Sequence, residues 1–268
     1  MITVLVVGIG SGSPAHLTAE AVAALNRVDV FLVADKRTDT RDLAAIRTDL
    51  CRSVITHEDY RVIQVADPPR DRDASGYREA VTDWHGRRAT AYGEVIAQQL
   101  PDGGTLGFLV WGDPALYDST LRIIEQVADT GVALAVEVFP GISSVQLLAA
   151  RHRMILNSVG GPIHLTTGRR LVEEYDPALG TVVVMLDGDL ACARLVDHFP
   201  DLEIAWGAQL GLADEALVRG RLADVLPEIT AARAAIRSRR GWVMDVYALR
   251  TADRLSGGHH DAEVGSRG

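Results

Sequence analysis

Lysine is almost missing from this chain: Lys36 is the only one, and the other 26 of its 27 basic residues are arginines. Guanidinium groups suit bidentate carboxylate recognition. The replacement is chain-wide, however, which marks codon usage in a GC-rich genome more than a binding site. Cysteine is scarce as well. Cys51 and Cys192 are the only two, with no CxxC spacing, which excludes a disulfide framework or a cysteine metal site and points to a reducing compartment. The eight histidines are scattered, with only His259 and His260 adjacent, so no metal site is expected. No apolar run approaches the roughly 20 residues that span a bilayer. The opening MITVLVVGIG has no basic start and reads as a buried strand, not a signal peptide. Positive charge is in deficit, with a net charge of −9. General nucleic-acid binding is thereby disfavoured, because neutralising phosphates needs a basic surface. A cytoplasmic protein is expected.

What is present is an ordinary globular composition, 47% hydrophobic and 24% charged over 268 residues. That length allows two modest domains, read here as residues 1–142 and 143–252, followed by a small, polar tail at 253–268 expected to be disordered. Apolar Val/Ile/Leu runs alternate with segments of helical period. Strands are expected at 3–7, 30–33, 61–65, 105–110 and 133–138, and helices at 14–27, around 43–50, from about 75 to 100 and at 115–128, with a loop at 68–76. Past Phe139 the expectation is helix at 145–152, strands at 163–166, 181–186 and 203–206, and helix at 190–199. A hairpin within 216–225 turning at Arg219-Gly220-Arg221, a helix from Pro227 to 237 and a closing strand at 242–249 complete the reading. The alternation implies an α/β fold: two αβα domains with mostly parallel or mixed sheets.

Four glycine- or proline-marked loops follow predicted strands, where α/β folds place their ligands. The first is Gly8-Ile9-Gly10-Ser11-Gly12-Ser13-Pro14, followed by His16-Leu17-Thr18. Ser13 stands where a dinucleotide fingerprint needs its third glycine. The second is Trp111-Gly112-Asp113-Pro114-Ala115-Leu116-Tyr117, in which Asp113 can cap the next helix. The third is Phe139-Pro140-Gly141-Ile142-Ser143-Ser144, whose serines can cap a helix or donate to a ligand. The fourth is the strand end Val184-Met185-Leu186-Asp187-Gly188, where Met185 reads equally well as core.

In this order the four motifs resemble the tetrapyrrole methylase family, the class III S-adenosylmethionine-dependent methyltransferases, from Val4 to about Leu249. The resemblance implies that S-adenosyl-L-methionine is bound in the cleft between the two domains. Its contacts would be Trp111, Gly112, Asp113, Leu116, Ser143, Ser144 and Met185, with Ala208 a further match, and no metal is implied. The loop of Gly10, Ser11 and Gly12 is expected to face the substrate. Many relatives carry Pro where Ser11 stands, Asp where Ser13 stands and Gly where Asp118 stands. The wording 29–36, Leu116 to Thr120 and 241–247 resembles the corrin-ring branch of the family. That implies methylation of a small-molecule polycarboxylate tetrapyrrole by a homodimer, with no nucleic-acid or membrane partner, and loss of an acetyl group as acetate.

A polycarboxylate substrate needs cations, and eleven fall between Lys36 and Arg88, among them Arg47, Arg52, Arg61, Arg87 and Arg88. Acetyl loss would benefit from a general base. Asp35, ending a strand beside the first glycine loop, is the first candidate, with His57, His85 and Asp113 as others. Three other readings stay open: a different tetrapyrrole methylation step, a dinucleotide-dependent oxidoreductase built on Gly8, Gly10 and Gly12, and a non-catalytic ligand-binding module.

Overall fold

The computed structural model describes residues 1–35, 41–68 and 77–251; of residues 35, 41, 42, 44, 77–79 and 81 it describes the backbone alone. Lys36, nearly all of the loop expected at 68–76 and the tail at 253–268 lie outside the described residues. The chain forms two compact units, Met1–Ser144 with Arg240–Trp242 and Val145–Arg239 with Val243–Gly268, and each is taken by itself.

In the first unit β1 (Ile2–Gly8), β2 (Val30–Asp35), β3 (Arg61–Ala66), β4 (Gly104–Val110) and β5 (Leu134–Phe139) form one sheet in the order β3-β2-β4-β1-β5. Every pairing is parallel. Successive side chains of a strand leave on opposite faces. On β1, Val4 and Val6 join a core with Ala89, Tyr92 and Ile96 of α3 (Tyr77–Gln99) and Ile123, Ile124 and Val127 of α4 (Thr120–Asp129). Leu5 and Val7 join another with Ala21, Ala24 and Leu25 of α1 (Ala19–Leu25) and Leu50 and Cys51 of α2 (Arg41–Val54). Helices on both faces explain why β1, an interior strand, is apolar without alternation from Val4 to Val7. The connection from β1 to β2 carries α1 on one face of the sheet, and the connection from β4 to β5 carries α4 on the other. Adjacent strands whose connections leave to opposite faces open a crevice at their carboxyl ends.

In the second unit β6 (Ile163–Thr167), β7 (Thr181–Met185), β10 (Asp245–Thr251), β8 (Leu202–Ala208) and β9 (Ala216–Arg221) lie side by side in that order. Only β6 and β7 pair in parallel; β10 runs antiparallel to β7 and β8, and β9 antiparallel to β8. One face packs on Leu171 of α6 (Gly168–Glu174) and on Leu222, Ile229 and Ile236 of α7 (Leu222–Arg240). Leu148 of α5 (Ser144–His152) sits beside Gly207 of β8. The interior holds a charged pair: Arg233 Nε lies 2.9 Å from Asp245 Oδ2, with side chains 11% and 4% exposed. Trp206 Nε1 donates to the same oxygen at 2.9 Å. Burial pushes the Asp245 carboxyl up, against the pull of Arg233 and the Trp206 hydrogen bond. Beside it the Tyr247 hydroxyl donates to Asp187, which also takes the amides of Asp189 and Ala191.

Several expected elements differ. The helix expected at 14–27 is a 3-10 turn, Pro14–His16, and then α1, because Leu17 is extended and Thr18 caps α1 by accepting from the Ala21 amide at 3.0 Å. The helix expected at 115–128 starts at Thr120. Tyr117 at φ 53° leaves helical space, and Asp118 Oδ1 accepts from the Thr120 amide at 2.7 Å. The helix expected at 190–199 is only a 3-10 segment, Ala191–Leu195, preceded by Leu190 at φ 56°. No hairpin turns at Arg219-Gly220-Arg221. All of β9 pairs with β8, and Gly220 is there because a Cβ would meet Val225 Cγ1 at 2.7 Å. The helix expected from Pro227 begins five residues earlier, at Leu222, with the proline inside it.

Removing one partner of a buried ion pair leaves an uncompensated charge, which costs about 3–5 kcal/mol. Arg233→Met is expected to lose that much in urea unfolding, and Arg233→Met with Asp245→Leu to recover most of it. Equal midpoints for the parent and Arg233→Met would show that the pair contributes no stability.

Candidate functional site

The carboxyl ends of β4, β1 and β5 are level: Gly8 is paired with Val110, and Val7 with Phe139. The loops that leave them therefore start side by side. The parallel ladder runs one step past β1, with the Ile9 amide donating to Val110 O at 2.8 Å. It then turns into an antiparallel bridge, in which Gly10 N donates to Gly112 O at 3.2 Å and Gly112 N to Gly10 O at 2.7 Å. Both glycines are left-handed, at φ 62° and 66°, which a side chain would strain. The third loop presses in from the other side. A Cβ on Gly141 would lie 2.0 Å from Gly112 O, and one on Gly8 would lie 2.5 Å from Gly141 N. Three backbones meet where no side chain fits.

Asp113 fastens the junction. Its Oδ2 accepts from the Gly141 amide at 2.9 Å, and its Oδ1 from the Ala115 amide at 2.8 Å. Its carboxylate thus ties the β4 loop to the β5 loop and does not cap α4, correcting the capping role expected of it. Pro114 holds the preceding residue in extended geometry, which suits that reach. The Leu116 amide donates to Asp113 O at 3.1 Å and closes the turn. Ser143, 1% exposed, packs with its Cα 3.6 Å from where a Gly112 Cβ would be, and Ser144 opens α5.

On the near side, Gly12 at φ 92° lies flat against Trp111: a Cβ there would come within 2.6 Å of the indole and 2.7 Å of Ile46. The Trp111 Nε1 is buried and has no hydrogen-bond partner among the described residues. Over that indole, 5.0 Å from the ring centroid, stands the Arg47 guanidinium of α2. Burial lowers Arg47 to about 10, with Asp118 and Tyr92 pulling the other way, so it stays charged at neutral pH.

The structure thus gathers Gly10, Ser11, Gly12, Trp111, Gly112, Asp113, Leu116, Ser143 and Ser144 around one junction. Met185 and Ala208 form a separate group in the second unit, as the last residues of β7 and β8 on either side of the start of β10, opposite Val246 and Asp245. Asp35 ends β2 by its backbone, and its side chain lies outside the described residues. The other candidate bases have structural surroundings. His57 Nε2 sits 3.2 Å from Asn26 O, and His85 is buried against Trp84. Burial raises the Cys51 thiol to about 11 and Cys192 to about 12, which removes both as thiolates. Among the described cations of the 36–88 stretch, Arg52, Arg87 and Arg88 pair with Asp49, Asp83 and Asp67, and Arg61 with Gln99. The sequence names Arg47 only as one of eleven cations and His16 only as following the first loop; the stacking of one on Trp111 and the folding of the other onto its own loop leave no local pattern to read.

Residues 3–226 match the family described as Tetrapyrrole (Corrin/Porphyrin) Methylases. This chain belongs to the tetrapyrrole methylase family. Among curated methylases it is similar to the Precorrin-6A synthase [deacetylating] of Sinorhizobium sp, 46% identical over 92% of this chain and 94% of that one. Among solved structures it is similar to a cobalamin synthesis related protein, CobF, from Corynebacterium diphtheriae, with TM-score 0.80, 35% identity and coverage of 94% of this chain and 99% of that one. The cobalt precorrin-4 methyltransferase CbiF shares the methylase fold at TM-score 0.59 and 20% identity, covering 92% and 94% of the two chains.

If the junction has no room, adding one methyl must move backbone. Gly141→Ala is expected to cost roughly 2–3 kcal/mol or more by overpacking. Gly86→Ala, in α3 where a Cβ meets nothing within 4 Å, is expected to be neutral or to stabilise by up to about 1 kcal/mol. Thermal unfolding of both variants checks this, and equal midpoints would show that the junction is loose.

Proposed function

We propose that this methylase transfers a methyl group from S-adenosyl-L-methionine to C1 of precorrin-5 and releases the acetyl group as acetate, giving precorrin-6A. The observation that carries the reading is the near full-length likeness to a relative named for that deacetylating step. The geometry of the junction agrees with it. Methyl transfer from a sulfonium is an in-line displacement, so the protein's task is chiefly to hold two reactants in line. Orientation of that kind can supply roughly 7–11 kcal/mol of the barrier. A junction built from backbone amides and carbonyls, locked by Asp113 and lacking Cβ atoms, is suited to holding a donor closely and rigidly.

In this proposal Trp111, Gly112, Asp113, Leu116, Ser143 and Ser144 touch the donor, with Met185 and Ala208 carried by the family resemblance. The loop of Gly10, Ser11 and Gly12 faces the ring. The donor supplies the methyl group; the chain's residues bind, orient and exclude water. Among the described residues Arg47, half-buried on Trp111, is a cation suited to meet a substrate carboxylate, and a planar guanidinium there donates best to a well-aligned partner. The reading extends to a homodimer in the cytoplasm with a small-molecule substrate. Its support is the family resemblance and, against nucleic acid, the acid excess. Among the described residues no helix is long and apolar enough to cross a membrane.

Calorimetry and a mass-resolved turnover assay test this together. The parent is expected to bind S-adenosylhomocysteine and not NAD, and to convert precorrin-5 with gain of a methyl and loss of an acetyl group. Arg47→Met is expected to raise the KM for the corrin substrate about 10- to 100-fold, the worth of one hydrogen bond to a charged group, with donor affinity unchanged. Binding of NAD in place of S-adenosylhomocysteine would overturn the reading.

A further inference from the structure

Ser11 and His16, on the loop after β1, form a pair that methyl transfer does not use. Ser11 Oγ lies 2.8 Å from His16 Nδ1, and both side chains are half-buried. Backbone sets that distance. Gly10 and Gly12, both left-handed, flank the serine, and the 3-10 turn Pro14–His16 brings the histidine back over the loop. A Cβ on Gly10 would lie 2.9 Å from His16 Cβ, so the imidazole folds over the loop only because residue 10 is glycine. The loop is already closed without the pair. Gly12 N donates to Ile9 O, His16 N to Ser13 O and Leu17 N to Pro14 O. A side-chain bond that is not needed to close its loop, beside the Gly10–Gly112 bridge and one residue from the glycine that packs on Trp111, stands where substrate chemistry is expected.

We propose that Ser11 and His16 form a nucleophile–base dyad that removes the acetyl group of the substrate; this rests on the deacetylating reading given above. With His16 carrying its proton on Nε2, the Ser11 hydroxyl donates to Nδ1 and is activated by it. Ser11 Oγ attacks the acetyl carbonyl, and its proton passes to His16. The bond between the acetyl carbon and the ring carbon breaks, and the electron pair stays with the ring, delocalised over the conjugated macrocycle. That pair forms the new bond to the methyl carbon of the sulfonium, whose S–C pair returns to sulfur. His16 gives its proton to solvent. A water molecule then attacks the acetyl ester, losing a proton to His16, which hands it to Ser11 Oγ as acetic acid leaves and gives its remaining proton to solvent to become acetate. The cleavage thus makes the nucleophile that the methyl group meets, so acetyl loss and methylation fall together when the dyad is broken.

The purified full chain with S-adenosylmethionine and precorrin-5 tests this, with acetate release, methyl gain and S-adenosylhomocysteine affinity read on the same samples. Ser11→Ala and His16→Gln are each expected to keep donor affinity within about twofold and to lose acetate release by about 100-fold or more, the range of positioned acid–base groups. Donor affinity reports folding. If Ser11→Ala fails to fold, His16→Gln decides, since Gly12 N, His16 N and Leu17 N close the loop through backbone amides that the substitution keeps. Acetate release within about threefold of the parent in a folded Ser11→Ala or His16→Gln overturns the dyad and leaves the functional reading standing. A parent that binds S-adenosylhomocysteine but releases no acetate from precorrin-5 overturns the functional reading, and the dyad with it.

Discussion

One hydrogen bond, from the Gly141 amide to the Asp113 carboxylate, holds together two loops whose backbones already touch. It matters because of where it lies. β4, β1 and β5 are neighbours that end at one level, so the loops that leave them start side by side and meet. Close packing of polar backbone is stable only when its amides and carbonyls are satisfied. Gly10 and Gly112 satisfy each other, and Asp113 satisfies Gly141 and Ala115. What results is a rigid floor with side chains on its rim: Trp111 and Arg47 on one side, Ser11 and His16 over Gly10.

This arrangement separates two kinds of chemistry. Methyl transfer asks for alignment, and in the proposed function a backbone floor would supply it with little left to reorganise. Breaking a carbon–carbon bond to an acetyl group asks for a nucleophile and a base, and those come from side chains. Both thiols are buried and raised, so neither serves. In the second unit, polar groups are spent on the fold itself. Asp245 pairs with Arg233 and Trp206, and Asp187 with Tyr247, in the interior, which favours one packing of sheet and helices.

Strands were the legible part of the sequence, since a fully buried parallel strand such as β1 is an unbroken apolar run bounded by glycine. Helix starts were less so. The residues after Trp111 have helical composition, yet Asp113 is drawn off to Gly141 and Tyr117 turns left-handed, so α4 begins only at Thr120. Gly220 looked like a turn and is instead a strand position pressed by Val225. At the junction, the glycine strings mark the loops that meet there, but part of the reason for those glycines lies elsewhere. Gly8 and Gly141 are required by each other's proximity, across more than a hundred residues of chain, which no local pattern records. The same holds for Arg47 over Trp111. The Ser11–His16 contact is local, but it depends on a left-handed Gly10 and a break in the helix at Leu17, and neither could be read from composition.

The most direct measurement is a crystal structure of the protein grown with S-adenosylhomocysteine. The account predicts the ligand against the backbone of residues 111–116 and 143–144, with the Asp113–Gly141 bond intact beneath it. Density for the ligand at any other place, or a site in which Asp113 has released Gly141 to bind it, would contradict the account.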